Sequence, residues 1–201
     1  MQLTAENLAC ERGGRTVFSH QNFSLGSGEL LQLTGPNGSG KSSLLRLLAS
    51  LGEPSHGKIS LAGGAADLNP GQQAHYISHS DASKSALTVT ENLKFWRDFL
   101  GGGDLDGALS AVNLAPLADY PVALLSAGQK RRLALARLAL VPRAVWLLDE
   151  PGVGLDEASL KLLVALMSRH LKAGGLIVAA THVPLGVKAD KNLHLDGKAQ
   201  A

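Results

Sequence analysis

Apolar residues fall at alternate positions across residues 3–10 and 16–25, the period of half-buried β-strands, and Gly13-Gly14 between them is a turn signal. A nearly continuous apolar run over 29–34 reads as a buried strand. Leucines at helical spacing over 41–51 read as the helix that follows it. Short strands are expected at 57–62 and 74–78. From 88 to 141 the period lengthens to that of helices: Thr90 is the expected N-cap of a helix over 91–100, which Gly101-Gly102-Gly103 stops. A second helix is expected over 104–113, Pro116 and Pro121 break the stretch after it, and a third runs from Ser126 to Leu140. A strand at 144–148, a helix at 156–171, a strand at 176–181 and a short strand near 192–195 complete the chain. Strands alternating with helices predict an α/β fold with a mostly parallel sheet. An antiparallel β part precedes that core, and a helical subdomain over about 80–140 is inserted in it. One domain spanning 1–201 accounts for the whole pattern.

Composition narrows the class. Of 201 residues, 45% are apolar and 18% charged, enough apolar surface for a globular core. The net charge is only +2 and no long basic block occurs, so no nucleic-acid partner is expected. The single cysteine, Cys10, cannot form an internal disulfide, in keeping with a cytoplasmic chain. No apolar run approaches the roughly 20 residues that cross a bilayer; the best stretch, 133–148, is interrupted by Arg137, Pro142 and Arg143. The segment ending at Cys10 has some likeness to a lipoprotein cleavage box. It lacks the basic start and apolar stretch of a secretory signal and is read as a first strand.

Candidate chemistry begins at Gly35-Pro36-Asn37-Gly38-Ser39-Gly40-Lys41-Ser42-Ser43, which fits G-x-x-x-x-G-K-[ST]. Such a loop turns its backbone N–H groups inward around phosphates, and here it has the required setting, a strand before it and a helix after it. Lys41 is assigned to the β- and γ-phosphates and the Ser42 hydroxyl to Mg2+. Far along the chain, a buried-strand pattern ends in Asp149-Glu150-Pro151. Asp149 is the candidate magnesium anchor, direct or through water, and Glu150 the candidate general base for the attacking water. Together the two stretches predict a P-loop NTPase that binds and hydrolyses a nucleoside triphosphate.

A third motif, Leu125-Ser126-Ala127-Gly128-Gln129, resembles the LSGGQ signature of the ATP-binding cassette (ABC) proteins. Ser126 is the expected N-cap of its helix, whose positive end faces outward; Arg131 and Arg132 are read partly as a solvated face. The resemblance implies that Ser126, Ala127, Gly128 and Gln129 serve the ATP held by a second copy, in a head-to-tail dimer enclosing two nucleotides. It further implies that Asp156, in Gly154-Leu155-Asp156, belongs to the D-loop that meets the other chain. His182, after the strand at 176–181, becomes the switch histidine that contacts the γ-phosphate and orients the water. The likeness covers residues 3 to about 195.

Two positions depart from the family pattern. Arg12 stands nearest to where an aromatic residue stacks on adenine, so preference for ATP over GTP rests on the resemblance alone. Where the Q-loop glutamine is expected, His79 and Ser80 stand. Imidazole is a poor direct ligand for a hard cation. Either a water intervenes, or Ser80 supplies the oxygen, or His79 serves the contact with a membrane partner. The short chain, Tyr76-Ile77-Ser78-His79, the stretch 87–96 and Ala127 further resemble the ATP-binding subunits of the cytochrome c maturation heme exporter. That resemblance implies integral membrane partners at the cytoplasmic face of the bacterial inner membrane, with hydrolysis driving heme handling through release of a heme-loaded chaperone. No heme site is expected in this chain, whose histidines are scattered singly. Another transport cargo, such as a lipid, peptide or drug, is the first alternative; a cassette acting on DNA or ribosomes is the second. Only about 85 residues separate Lys41 from Ser126, with no sustained heptads, which disfavours the coiled-coil DNA-repair type.

Overall fold

Two sheets share one fold in the computed structural model, which describes residues 1–197. Strands β1 (Gln2–Arg12) and β2 (Arg15–Gly26) form an antiparallel hairpin closed by Gly13 and Gly14. Both glycines have positive φ, 56° and 72°, the conformation that a two-residue hairpin loop needs if its twist is to match the strands. β1 also pairs antiparallel with β4 (His56–Ala62), giving the order β2-β1-β4.

The second sheet is wholly parallel, in the order β5-β6-β7-β3-β8, built from β3 (Leu30–Thr34), β5 (Ala74–Ile77), β6 (Val145–Asp149), β7 (Leu176–Ala180) and β8 (Lys191–His194). Every residue of β6 and β7 is buried, which explains their unbroken apolar runs. Their alternate side chains feed two cores. Val145, Leu147, Leu176 and Val178 pack with α1 (Lys41–Leu48) and the antiparallel sheet. Trp146, Leu148, Ile177 and Ala179 pack with α4 (Ala127–Leu140) and α5 (Glu157–Lys172), and with the outer helices α2 (Val89–Leu100) and α3 (Leu105–Ala111). Helices α2 to α4 lie in the chain between β5 and β6, which pair directly with each other.

Local expectations need two corrections here. The N-cap of α2 is Thr88 rather than Thr90. The Thr88 side chain accepts from the Glu91 N–H at 3.1 Å, and the Thr88 N–H donates to Glu91 Oε2 at 2.8 Å, a reciprocal capping box. Thr90 instead donates its hydroxyl to the Ala118 carbonyl at 2.9 Å, tying the helix to the segment after α3. Helix α1 stops at Leu48, short of 51, because Ser50 turns left-handed at φ 54°.

Candidate functional site

Four chain segments converge at the carboxyl edge of the parallel sheet. The phosphate loop follows β3, His79 follows β5, Asp149 ends β6 and His182 follows β7. Ligand sites in open α/β sheets form along that edge. A cavity of about 510 Å³ gathers Gly38, Gly40, Lys41, Ser42 and Ser43 with His79, Asp149, Glu150, His182 and Arg12.

The loop's shape requires its glycines. Gly40 caps α1 in a left-handed conformation at φ 100°, where a β-carbon would also strike Val17 and Phe18 at 2.6 and 2.8 Å. Gly35, at φ 139°, leaves no room for a side chain against the Leu195 carbonyl and Ser39. No side chain caps α1 and its first turn carries no acid, so its leading N–H groups remain available to an anion. The Lys41 ammonium is buried and donates to the carbonyls of Gly35 at 2.7 Å and Pro36 at 3.0 Å, curled over the loop it would share with a phosphate. Ser39 Oγ is buried without a hydrogen-bond partner.

Asp149 is 3% exposed, and its Oδ2 has no hydrogen-bond partner. A buried carboxylate oxygen left in that state is costly, and a cation at the cavity beside Ser42 would relieve it. The His79 imidazole stands nearby, its Nδ1 4.0 Å from that oxygen. His79 thus reaches the cavity. Ser80 is not among the cavity's lining residues, and its carbonyl accepts from the Ser78 hydroxyl at 2.7 Å.

Glu150 begins the next turn at φ 48°, unusual for a residue with a side chain, while its N–H donates to the Ala180 carbonyl at 2.9 Å. Its carboxylate lies 3.4 Å from His182 Nε2 and accepts from the His182 backbone N–H at 3.4 Å. Glu150 and His182 therefore face each other in the cavity.

The signature segment takes no part in this cavity. Ser126 caps α4, accepting from Gln129 N–H at 3.2 Å while the Gln129 side chain accepts from Ser126 N–H at 2.8 Å. Ser126 and Ala127 are exposed, and a β-carbon on Gly128 would lie 3.4 Å from the Gly154 carbonyl, so signature and D-loop form one edge. Asp156 caps α5 through the Ser159 N–H at 2.8 Å, and hydrogen bonding by Ser159 holds its carboxyl below the usual range.

Two features escaped sequence reasoning. Arg131, read as part of a solvated face, is 4% exposed and bonded to the turn around Glu150. A larger cavity, about 740 Å³, lies where Tyr76 and Arg137 face the aromatic run of α2. There Phe95 and Phe99 stack at 6.3 Å yet stay 52% and 71% exposed, and Arg137 lies 3.6 Å over the Trp96 ring. The spacing Phe95-Trp96-x-x-Phe99 was the available signal.

Comparison with known proteins shows the family. Residues 18–153 match the ABC transporter family. The chain is 53% identical over 201 residues to the cytochrome c biogenesis ATP-binding export protein CcmA of Nitrobacter winogradskyi, covering 99% of this chain and all of that one. It is 49% identical over 189 residues to the protein of the same name from Brucella abortus, covering 93% and 88%. Its fold matches a solved ATP-binding subunit of an ABC transporter at TM-score 0.86 and 24% identity, covering 98% and 87%. With its phosphate loop, carboxylate pair and capped signature helix in this arrangement, the chain belongs to the ABC transporter family, within the group of cytochrome c biogenesis ATP-binding export proteins.

Proposed function

We propose that this chain is the ATP-hydrolysing subunit of a membrane exporter that handles heme for c-type cytochrome assembly. The reading is carried by one observation: a single cavity joins the phosphate loop, the unpartnered Asp149 carboxylate oxygen and the facing Glu150–His182 pair. Phosphates of ATP settle on the N–H groups of the loop and the start of α1, and Lys41 turns from the loop carbonyls toward the β- and γ-phosphates. Ser42 and Asp149 are the residues that would hold Mg2+, which when bound neutralises charge on the phosphate oxygens. Glu150 accepts a proton from the attacking water, while His182, held against it, contacts the γ-phosphate and keeps the water in line. Arg12 at the rim offers a guanidinium face to the base.

Two surfaces support assembly. The edge of Ser126, Ala127, Gly128 and Gln129, exposed at its first two residues and with the D-loop beside it, fits the role of completing the site of a second copy. The aromatic groove at Phe95, Trp96 and Phe99 fits an integral membrane subunit, an exposed apolar patch of the kind that marks protein interfaces. Among the described residues no helix is long and apolar enough to cross a membrane, so attachment through such subunits at the cytoplasmic face of the inner membrane is the arrangement proposed.

Glu150→Gln tests the reading. The substitution keeps the carboxylate's shape and the phosphate cradle but removes the base, which commonly costs about 10²–10⁴ in rate. Turnover should collapse while ATP remains trapped in a stable dimer. Cells carrying only this variant should assemble the exporter yet fail to mature c-type cytochromes. Normal turnover would refute the base, and normal cytochrome maturation with dead ATPase would refute the biological role.

A further inference from the structure

The side chain that fixes Glu150 comes from neither the phosphate loop nor the strand that carries it. Arg131 projects from the second turn of α4 and is 4% exposed. All five N–H groups of a guanidinium can be assigned to acceptors here. Nε donates to the Pro151 carbonyl at 3.4 Å, and Nη2 donates to the carbonyls of Asp149 at 3.1 Å and Glu150 at 2.7 Å. Nη1 donates to the Ser78 carbonyl at 2.8 Å and to Asp81 Oδ1 at 3.2 Å.

Three consecutive carbonyls, at residues 149–151, therefore converge on one planar cation. That convergence orients the peptide planes on both sides of Glu150, which is where the chain adopts its left-handed φ of 48°. A residue with a side chain holds that conformation only when its surroundings impose it. The other edge of the same cation grips Ser78 and Asp81, which bracket His79 at the cavity. Lysine would serve poorly: an ammonium has three donors around one point, fewer than the five acceptors that the planar fork reaches here.

We propose that Arg131 is a positioning residue for hydrolysis, locking the 149–151 turn so that Glu150 faces the cavity and joining that turn to the 78–81 loop. The proposal rests on the reading of Glu150 as the base, and it adds a physical tie between three segments: the signature helix, the loop bearing His79 and the catalytic turn. Asp81 has the lesser part of orienting the guanidinium.

The test uses the full chain in its native membrane complex, with Arg131→Lys, Asp81→Asn, Glu150→Gln and the Arg131→Lys/Glu150→Gln double variant. ATP turnover is measured beside equilibrium binding of a fluorescent ATP analogue, which reads the phosphate loop independently of Glu150. A displacement of about 1 Å at a reacting group costs on the order of 10²-fold, so Arg131→Lys should lose about that much kcat with analogue affinity within about threefold of normal. The double variant should turn over no more slowly than Glu150→Gln alone, because a positioning residue has nothing left to position. Should Arg131→Lys fail to fold, Asp81→Asn carries the test, since its side chain is partly exposed and its amide keeps an acceptor. It should lower kcat by roughly tenfold with the melting temperature unchanged. Retained turnover in Glu150→Gln would overturn the base itself. Loss there, combined with normal kcat in Asp81→Asn and Arg131→Lys, or with effects that multiply in the double variant, would overturn the positioning role alone.

Discussion

Asp149 and Glu150 adjoin in the chain but not in environment. Asp149 is the last residue of a buried strand, held inward with one oxygen unpartnered, whereas Glu150 opens a turn beside a half-exposed histidine. One suits a fixed ligand and the other a base that must exchange protons with solvent. A like contrast separates Lys41 from His75. Lys41 is buried against loop carbonyls at 2.7 and 3.0 Å, so its charge already stands at the loop proposed to hold the phosphates. Lys41→Ala removes a charge-assisted hydrogen bond worth about 1.5–3 kcal/mol, and ATP affinity should fall by about 10–100-fold in an equilibrium binding titration. His75, by contrast, is structural. It is 1% exposed, its Nε2 lies 2.7 Å from the Val141 carbonyl, and burial, aided by Arg137 and Arg143, lowers its pKa to about 4. In the unfolded chain its pKa is about 6.5, so between these values the unfolded state binds a proton that the folded state refuses. The stability that comes from keeping this ring neutral is complete above about 6.5 and is lost as pH falls toward 4, about 2 kcal/mol of it by pH 5. His75→Gln, which retains a donor for Val141 but does not titrate, should shrink the difference in urea-unfolding free energy between pH 7 and pH 5 by about that amount.

Elements whose signals are local were legible from sequence, and those that depend on tertiary partners were not. β6 and β7 are buried on both faces and could be found from their apolar runs alone; the phosphate loop lies between a strand and a helix that both carry their own patterns. The cavity then brings together Lys41, Ser42, Asp149 and Glu150, singled out by motif and position, with His182, singled out by the family resemblance. Helix α4 shows why the rest was hidden. Its buried residues include Arg131, Arg137, Leu133, Ala134, Leu135, Ala136, Leu138 and Leu140, so arginines in it are not evidence of a wet face. The acceptors of Arg131 sit between 18 and 53 residues away, and no window of sequence contains them all. The misplaced cap of α2 is different, because Glu91 three residues after Thr88 was a readable capping-box signal. Thr88→Ala should cost about 1 kcal/mol of stability and Thr88→Ser only a small fraction of that, seen as shifts in the denaturant midpoint. An equal loss in both would mean that the methyl packing, not the hydroxyl, secures the helix start.

At the scale of the whole molecule, the phosphate loop and the signature edge stand apart within one chain. The helix N-terminus at Ser126 is exposed beside the Gly154 turn, while the cavity of its own chain holds the loop, the carboxylates and His182 but no signature residue. If that edge completes the site of a second copy, Ser126→Arg chains should still bind ATP through their phosphate loops but fail to close a dimer, because the added cation would occupy the γ-phosphate position of the opposing chain. Lys41→Ala chains fail for the opposite reason, with an intact signature and a crippled loop. In a head-to-tail dimer each site takes its loop from one chain and its signature from the other, so each homodimer has only half-damaged sites. Mixing the two variants yields heterodimers in which one site is damaged in both elements and the other in neither. ATP-dependent dimerisation, followed by light scattering, should therefore return in the mixture although neither variant shows it alone. Closure needs only the intact site to bridge the chains, so its recovery does not depend on both sites hydrolysing together. A signature that acted only within its own chain would leave the mixture as inactive as its components, and normal dimerisation by Ser126→Arg alone would remove the edge from the nucleotide site altogether.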